Sequence, residues 1–229
     1  NWEYAVSGHQ QLTYHGIQTQ QTDVMQSHIE SAMELSKSHG LEEERMPVLM
    51  RLKGLCHLMN HELDMAEGTL HQAIQSVSQM NQKTRQHEVH VAACHYYLGE
   101  IMRNRKDYQT ALEQYCQAVE ICGNSGVEHH AIAVFYTGIG QTLYQLERYE
   151  EAESNLHQAL NYFRQFEIFW RRSIANAYMS LIRTAGDNRQ EALHYLNIAI
   201  EDADRLQNPY EMGVVARVAE QVHEKLNRS

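Results

Sequence analysis

The stretch Tyr115-Cys116-Gln117-Ala118-Val119 decides the fold, because blocks with the same pattern of large and small residues recur along the chain. The related blocks occupy residues 29–33, 70–74, 156–160 and 196–200. The fourth residue of every block is an alanine, and successive alanines are 41, 45, 41 and 40 residues apart. This regular spacing predicts five copies of one structural unit.

Small residues at two further positions indicate that each unit is a pair of closely packed helices. Seven residues before the block alanine stand Met25, Ala66, Ala111, Ala152 and Ala192. Seven residues are two helical turns, so both small residues lie on one face with a large apolar residue between them. Twelve residues before each of these five positions stand Thr13, Gly54, Gly99, Gly140 and Ser180. Because Gly inside a helix costs about 1 kcal/mol relative to Ala, its recurrence predicts a site of close helix contact.

These positions together resemble a known repeat family. Leu98-Gly99 with Tyr108, Ala111, Tyr115 and Ala118 is similar to the tetratricopeptide-repeat signature, and so is the set Tyr136, Gly140, Leu143, Tyr149, Ala152 and Ala159. The resemblance covers five copies from about residue 10 to residue 204, with a period of about 41 residues where the family usually has 34. It implies stacked helix pairs whose concave side binds peptides or other proteins.

The fold class predicted is therefore all-α, a right-handed superhelical solenoid of five helix pairs plus a C-terminal helix. The whole chain, 1–229, is expected to form one domain. The repeats expected are 1–40, 41–84, 85–126, 127–167 and 168–208, and a closing helix is expected at 209–227. Pro47 and Pro209 are expected in the first turns of helices, where the missing N–H costs nothing. Because the chain does not begin with methionine, we interpret it as a fragment of a longer protein.

Composition narrows the classes of function. The formal charge of -10 disfavours direct contact with nucleic acid or with anionic membrane surfaces. No apolar run of about 18 residues occurs, so no transmembrane helix is expected, and the first residues do not form a signal peptide. The four cysteines are expected to be reduced, in keeping with a cytoplasmic protein.

The family resemblance also implies a set of ligand-contacting residues. In such proteins these residues lie three places before the glycine position and one, four and five places after it, on the first helix of each pair. The positions chosen here as a candidate peptide-binding site are Arg51, Tyr96, Glu100, Arg103, Asn104, Thr137, Gln141, Tyr144 and Gln145. Most of these side chains are polar, so they can pair with the donors and acceptors of an extended peptide backbone. A solvated concave face without a ligand is the alternative.

Several functions remain open at this point. Arrays of this length resemble the peptide-sensing regulators of Gram-positive bacteria and the repeat segments of bacterial transcription activators, which favours the sensing part of a larger regulatory protein. A constitutive protein–protein scaffold and the repeat part of an enzyme-linked regulator are the alternatives, and homo-oligomerisation stays open. The lysine-rich clamp with which some chaperone partners bind an acidic C-terminal tail is not matched, so such a tail is not the favoured ligand.

Catalytic and metal-binding chemistry is not expected. No phosphate loop, nucleophile elbow or catalytic pair of carboxylates is recognisable, so neither an enzyme nor a cofactor is predicted. His57 and His61 lie one helical turn apart, but a third metal ligand is not evident. The sequence Trp170-Arg171-Arg172 fits a recognition spot, or more simply a Trp packed between two repeats.

Overall fold

The computed structural model describes residues 2–125 and 131–228, and this part of the chain forms eleven α-helices and no strand. The helices are α1 (Trp2–Thr19), α2 (Thr22–Ser38), α3 (Glu42–Met59), α4 (Leu63–Ser78), α5 (Arg85–Asn104), α6 (Tyr108–Ser125), α7 (Ala131–Gln145), α8 (Tyr149–Gln165), α9 (Arg172–Ala185), α10 (Arg189–Leu206) and α11 (Pro209–Arg228). The prediction of an all-helical fold with a separate last helix is confirmed.

The recurrent small and large residues form the contact within each helix pair. The block alanines are fully buried or nearly so, and so are the residues seven places before them. The large residues between them, such as Tyr115 and Leu156, are fully buried too. A methyl group added to Gly54 or Gly140 would meet the leucine of its own pair at less than 3 Å. The glycine, the large side chain and the two alanines therefore interlock the two helices of a pair.

Two layers result from stacking these pairs. The first helices contact one another in succession, as α3 with α5, α5 with α7, α7 with α9, and α9 with α11. We call α1, α3, α5, α7, α9 and α11 the first-helix layer. The chain curves far enough that the Asn208 side-chain nitrogen lies 3.5 Å from the carbonyl oxygen of Gln18. The right-handed sense of the superhelix stays a prediction.

The start of α3 differs from the prediction. Helix α3 begins at Glu42, so Pro47 lies inside the helix and not in its first turn. The three glutamates 42–44 occupy the first turn, where negative charge is stabilised by the helix dipole. Pro47 therefore deprives the helix of one backbone hydrogen bond. Pro209 is the first residue of α11, as predicted.

Overpacking the interlocked contact is expected to destabilise the fold. Ala118→Leu should lower the free energy of unfolding by about 1–3 kcal/mol, because the added atoms have no free volume between α5 and α6. Chemical denaturation measures this change. Gln117→Leu, at the exposed neighbouring position, is the matched control and should leave stability nearly unchanged. Equal stability of both variants would show that Ala118 does not face the partner helix.

Candidate functional site

The candidate residues chosen from sequence lie on three consecutive members of the first-helix layer. Arg51 belongs to α3, residues 96, 100, 103 and 104 belong to α5, and residues 137, 141, 144 and 145 belong to α7. Because these helices contact one another, the layer brings the residues into one region of the molecule. Their side chains differ in how exposed they are and in how many of their polar atoms already have hydrogen-bond partners.

Glu100 is the centre of the most buried group. The side chain of Arg103 donates to one Glu100 carboxylate oxygen through Nη2 at 2.7 Å, and the Tyr115 hydroxyl donates to the other at 2.5 Å. The Arg103 Nε also lies 3.4 Å from the Tyr115 hydroxyl. Glu100 is only 6% exposed, so these bonds replace the water that the charged group has lost.

The electrostatics of this group keep Glu100 ionised. Burial alone would raise the pKa of the Glu100 carboxyl, but the charges of Arg103 and Arg171 and the hydrogen bonds from Arg103 and Tyr115 lower it below its ordinary value of 4.5. Burial, followed by the negative charge of Glu100, raises the pKa of Tyr115 well above its ordinary value. Glu100 is therefore an acceptor already in use, and Tyr115 stays a donor.

Aromatic side chains surround this ionic group. The Tyr96 ring is 5.3–5.6 Å from the rings of Tyr97, Tyr115 and Phe135. Further along the layer, the rings of Tyr144 and Tyr178 meet edge to face at 5.6 Å. Gln141, on the same helix as Tyr144, is buried as well. Tyr96 and Gln141 are therefore parts of the packed interior.

The remaining candidates of α5 and α7 are divided between the interior and the surface. The Thr137 hydroxyl donates to the carbonyl of Ala133 in its own helix, so Thr137 is buried and internally satisfied. Asn104 is exposed, and its amide donates to the Glu100 carbonyl at 2.7 Å. Gln145 is exposed at the end of α7. Asn104 and Gln145 are thus the most accessible of these side chains.

Residues from the last part of the chain join the region. Arg171 belongs to the run 170–172 that the sequence singled out, whereas Tyr210 and Glu211 were not predicted. The Arg171 guanidinium carbon lies 4.4 Å from the centre of the Tyr210 ring and 5.2 Å from that of Trp170. The backbone N–H of Arg171 donates to Glu211 at 2.9 Å. Trp170 is 40% exposed and lies beside Arg171 in the segment between α8 and α9. In the sequence, the run 170–172 pointed to this region, but it did not predict a contact with α11.

Arg51 is a buried cation with a single hydrogen-bond partner among the described residues. It is 7% exposed, and its Nη2 donates to the Tyr14 hydroxyl at 3.0 Å. Its Nε is buried and has no hydrogen-bond partner within residues 2–125 and 131–228. Arg51 thus lies in the first-helix layer, as predicted, with part of its donor capacity unused.

The two histidines considered as metal ligands have other surroundings. His57 Nδ1 lies 2.5 Å from a carboxylate oxygen of Glu62, and His61 has a positive φ of 60° in the turn before α4. Within the described ranges, no cluster of three or more His, Cys, Asp or Glu is arranged to hold a metal ion. No helix in those ranges is long and apolar enough to cross a membrane.

Interlocked helix pairs in two layers define the class of this molecule as a helical-repeat protein. Residues 91–165 match the family model of the tetratricopeptide repeat. The tetratricopeptide repeat predicted from sequence is therefore shown for residues 91–165. No curated protein matches the chain.

Solved structures share the fold over most of the chain. A Rap protein in complex with competence and sporulation factor is 16% identical, with a TM-score of 0.71 over 99% of this chain and 61% of that one. The apo form of RapI is 17% identical, with a TM-score of 0.68 over 89% of this chain and 70% of that one. The tetratricopeptide-repeat sensor protein of the signal transduction ATPase class from Pyrococcus horikoshii is 14% identical, with a TM-score of 0.65, over 100% of this chain and 36% of that one. At these identities the likeness is one of fold.

Proposed function

We propose that this chain binds an extended peptide or a segment of a partner protein on its first-helix layer, as the ligand-sensing or partner-binding part of a larger regulatory protein. The observation that carries this proposal is the convergence of polar and aromatic side chains from α3, α5 and α7 in one region. Exposed amides such as Asn104 and Gln145 offer both donors and acceptors to a peptide backbone.

The structural likeness supports the same use of the fold. The Rap protein of similar structure is complexed with competence and sporulation factor, and the protein from Pyrococcus horikoshii carries its repeats as a sensor. This chain spans 61% and 36% of those two chains. A role as one part of a larger regulator therefore accords with both comparisons, and we propose no catalytic role for the repeats themselves.

A constitutive scaffold is the second candidate. The mutual bonding of Glu100, Arg103 and Tyr115 favours it, because a face whose charges are already satisfied presents a rigid surface without needing a ligand to order it. A large partner would contact that surface over a wide area, so single amide changes would matter little to it.

Peptide titration separates the two candidates. Asn104→Ala and Gln145→Ala should each weaken binding of a fluorescent short peptide, selected from a library on the wild type, by about 3- to 10-fold through loss of one hydrogen bond. Fluorescence polarisation measures the affinity. Gln117→Ala, on the exposed face of α6, is the control and should bind like the wild type.

The opposite outcome would favour the scaffold. If no short peptide binds, and a large partner captured by the wild type is captured equally by both variants, the scaffold replaces the peptide receptor. Gln141→Ala is unsuitable as a binding variant alone, because Gln141 is buried and the loss of its side chain alters packing as well.

A further inference from the structure

Among residues 2–124 and 131–228, four charged residues are buried, and three of them have polar partners that compensate their charge. These three are carboxylates. Glu100 is paired with Arg103, Asp202 with Arg172 at 2.7 Å, and Glu211 accepts from the backbone N–H of Arg171 and from Ser173. This pattern is the usual one, because a charge removed from water needs a partner.

Arg51 is the exception. Its one polar partner among the described residues is the hydroxyl of Tyr14, which is uncharged, and it forms no salt bridge there. Two neighbours that could ionise do not neutralise it. Burial raises the pKa of the Cys94 thiol to about 12, and burial likewise raises the pKa of Tyr97. Both groups are therefore uncharged near pH 7, while the guanidinium cannot lose its proton.

The unused donor has a defined geometry. Nε and Nη2 of an arginine form one edge of the planar guanidinium, and that edge matches the two oxygens of a carboxylate. In Arg51, Nη2 is held by Tyr14 at 3.0 Å and Nε is unpaired. Tyr14 is 37% exposed, so its side chain can turn towards solvent and release Nη2. The edge then becomes free for a planar anion entering past Tyr14.

We propose that Arg51 is the anchor for a carboxylate of the bound peptide, which replaces the Tyr14 hydroxyl and receives hydrogen bonds from Nε and Nη2. The proposal rests on the proposed function and adds the chemical class of the ligand. The carboxylate belongs either to the peptide C-terminus or to an Asp or Glu side chain. It reverses the expectation from sequence that an acidic peptide tail is not the favoured ligand. Here a single buried arginine would supply the positive charge that a lysine-rich clamp supplies elsewhere.

Peptide variants identify the source of the carboxylate. For a peptide selected on the wild type, amidation of the C-terminus or replacement of its acidic side chains by amides should weaken binding at least 10-fold in one of the two series. Arg51→Gln should weaken binding of the free acid as much and abolish the difference between acid and amide. Arg51→Lys should recover part of the affinity, since it keeps the charge and loses the two-pronged edge. Equal binding of all acids and amides overturns the proposal and leaves the proposed function standing.

A second measurement does not depend on finding a peptide. N-acetylglycine carries one carboxylate, and N-acetylglycinamide is its neutral counterpart. At the same high concentration, N-acetylglycine should raise the Tm of the wild type more than N-acetylglycinamide does, and Arg51→Met should remove this excess. Arg164→Met, at an exposed site on α8, is the control and should retain it.

The stability of Arg51→Met is itself decisive. Because an uncompensated charge is removed from the interior, its Tm without any additive should be equal to or higher than that of the wild type. A marked fall of Tm, or an excess stabilisation by N-acetylglycine that survives in Arg51→Met, shows that Arg51 is a structural residue and overturns the proposal.

Discussion

Glu100→Gln is expected to lower the free energy of unfolding by about 3–5 kcal/mol, the usual effect of removing one partner of a buried ion pair. Glu100 accepts from Arg103 and from the Tyr115 hydroxyl, and it is 6% exposed. The neutral amide would leave the guanidinium of Arg103 without a counter-charge, and its nitrogen would face a donor. Chemical denaturation at pH 7 measures the loss.

Two controls separate the charge from the packing. Tyr115→Phe removes one hydrogen bond to a charged acceptor and should cost less, about 1.5–3 kcal/mol. Adding Arg103→Met to Glu100→Gln removes the orphaned cation as well, so the double variant should be more stable than Glu100→Gln alone. If Glu100→Gln stays within about 0.5 kcal/mol of the wild type, the buried pair does not exist in solution.

Glu100 also makes a contribution to the free energy of unfolding that depends on pH. The pKa of Glu100 is lower in the folded chain than its ordinary value of 4.5, so the unfolded chain binds this proton more tightly. The stabilisation is therefore complete above the ordinary value and is lost as the pH falls through the folded value. Between pH 7 and acid, the difference in stability between wild type and Glu100→Gln should shrink, and a constant difference would contradict the assignment.

Sequence reasoning succeeds where one side chain has one packing role in every repeat. The block alanines and the glycines mark close helix contacts, and the structure buries them as the pattern predicts. Helix positions follow, because a face defined by such residues fixes where each helix must lie. The succession of helix pairs and the separate last helix were therefore predictable.

The conformation of the turn inside each helix pair could not be predicted from residue types. Each contains a residue of positive φ two places before the second helix: Gln20, His61, Lys106, Glu147 and Asp187. Glycine or asparagine usually marks such a position, and neither occurs here. The turn is held by backbone bonds, such as that from the N–H of Arg148 to the carbonyl of Leu143 at 3.0 Å. Backbone geometry can thus recur without a residue type that announces it.

The contacts within the candidate site were the least predictable from the sequence. Family positions put Glu100 and Arg103 in one candidate site, but they could not show that the two side chains satisfy each other. Nor could they place Arg171 against Tyr210, because that contact depends on how far the chain curves from α9 to α11. Long-range pairing of this kind leaves no periodic trace in a sequence, so the free donor of Arg51 emerged only from the structure.

Gly99→Ala is expected to lower the free energy of unfolding by about 3 kcal/mol, although alanine alone would favour the helix by about 1 kcal/mol. A methyl group at Gly99 would lie 2.6–2.9 Å from three atoms of the Tyr115 ring. The ring has little room to shift, because a methyl group at Gly138 would also meet it at 2.9 Å and its hydroxyl is bonded to Glu100. Differential scanning calorimetry and denaturation measure the loss.

Gly68→Ala provides the matched control, since both glycines lie within helices and only the neighbours differ. A methyl group at Gly68 meets no atom within 4 Å, so this variant should gain about 0.4–1 kcal/mol. Opposite signs for the same chemical change would locate the close contact at Tyr115. Two stabilising variants would mean that the helices of this pair can separate freely. Such freedom would also loosen the contact that holds Tyr115 against Glu100.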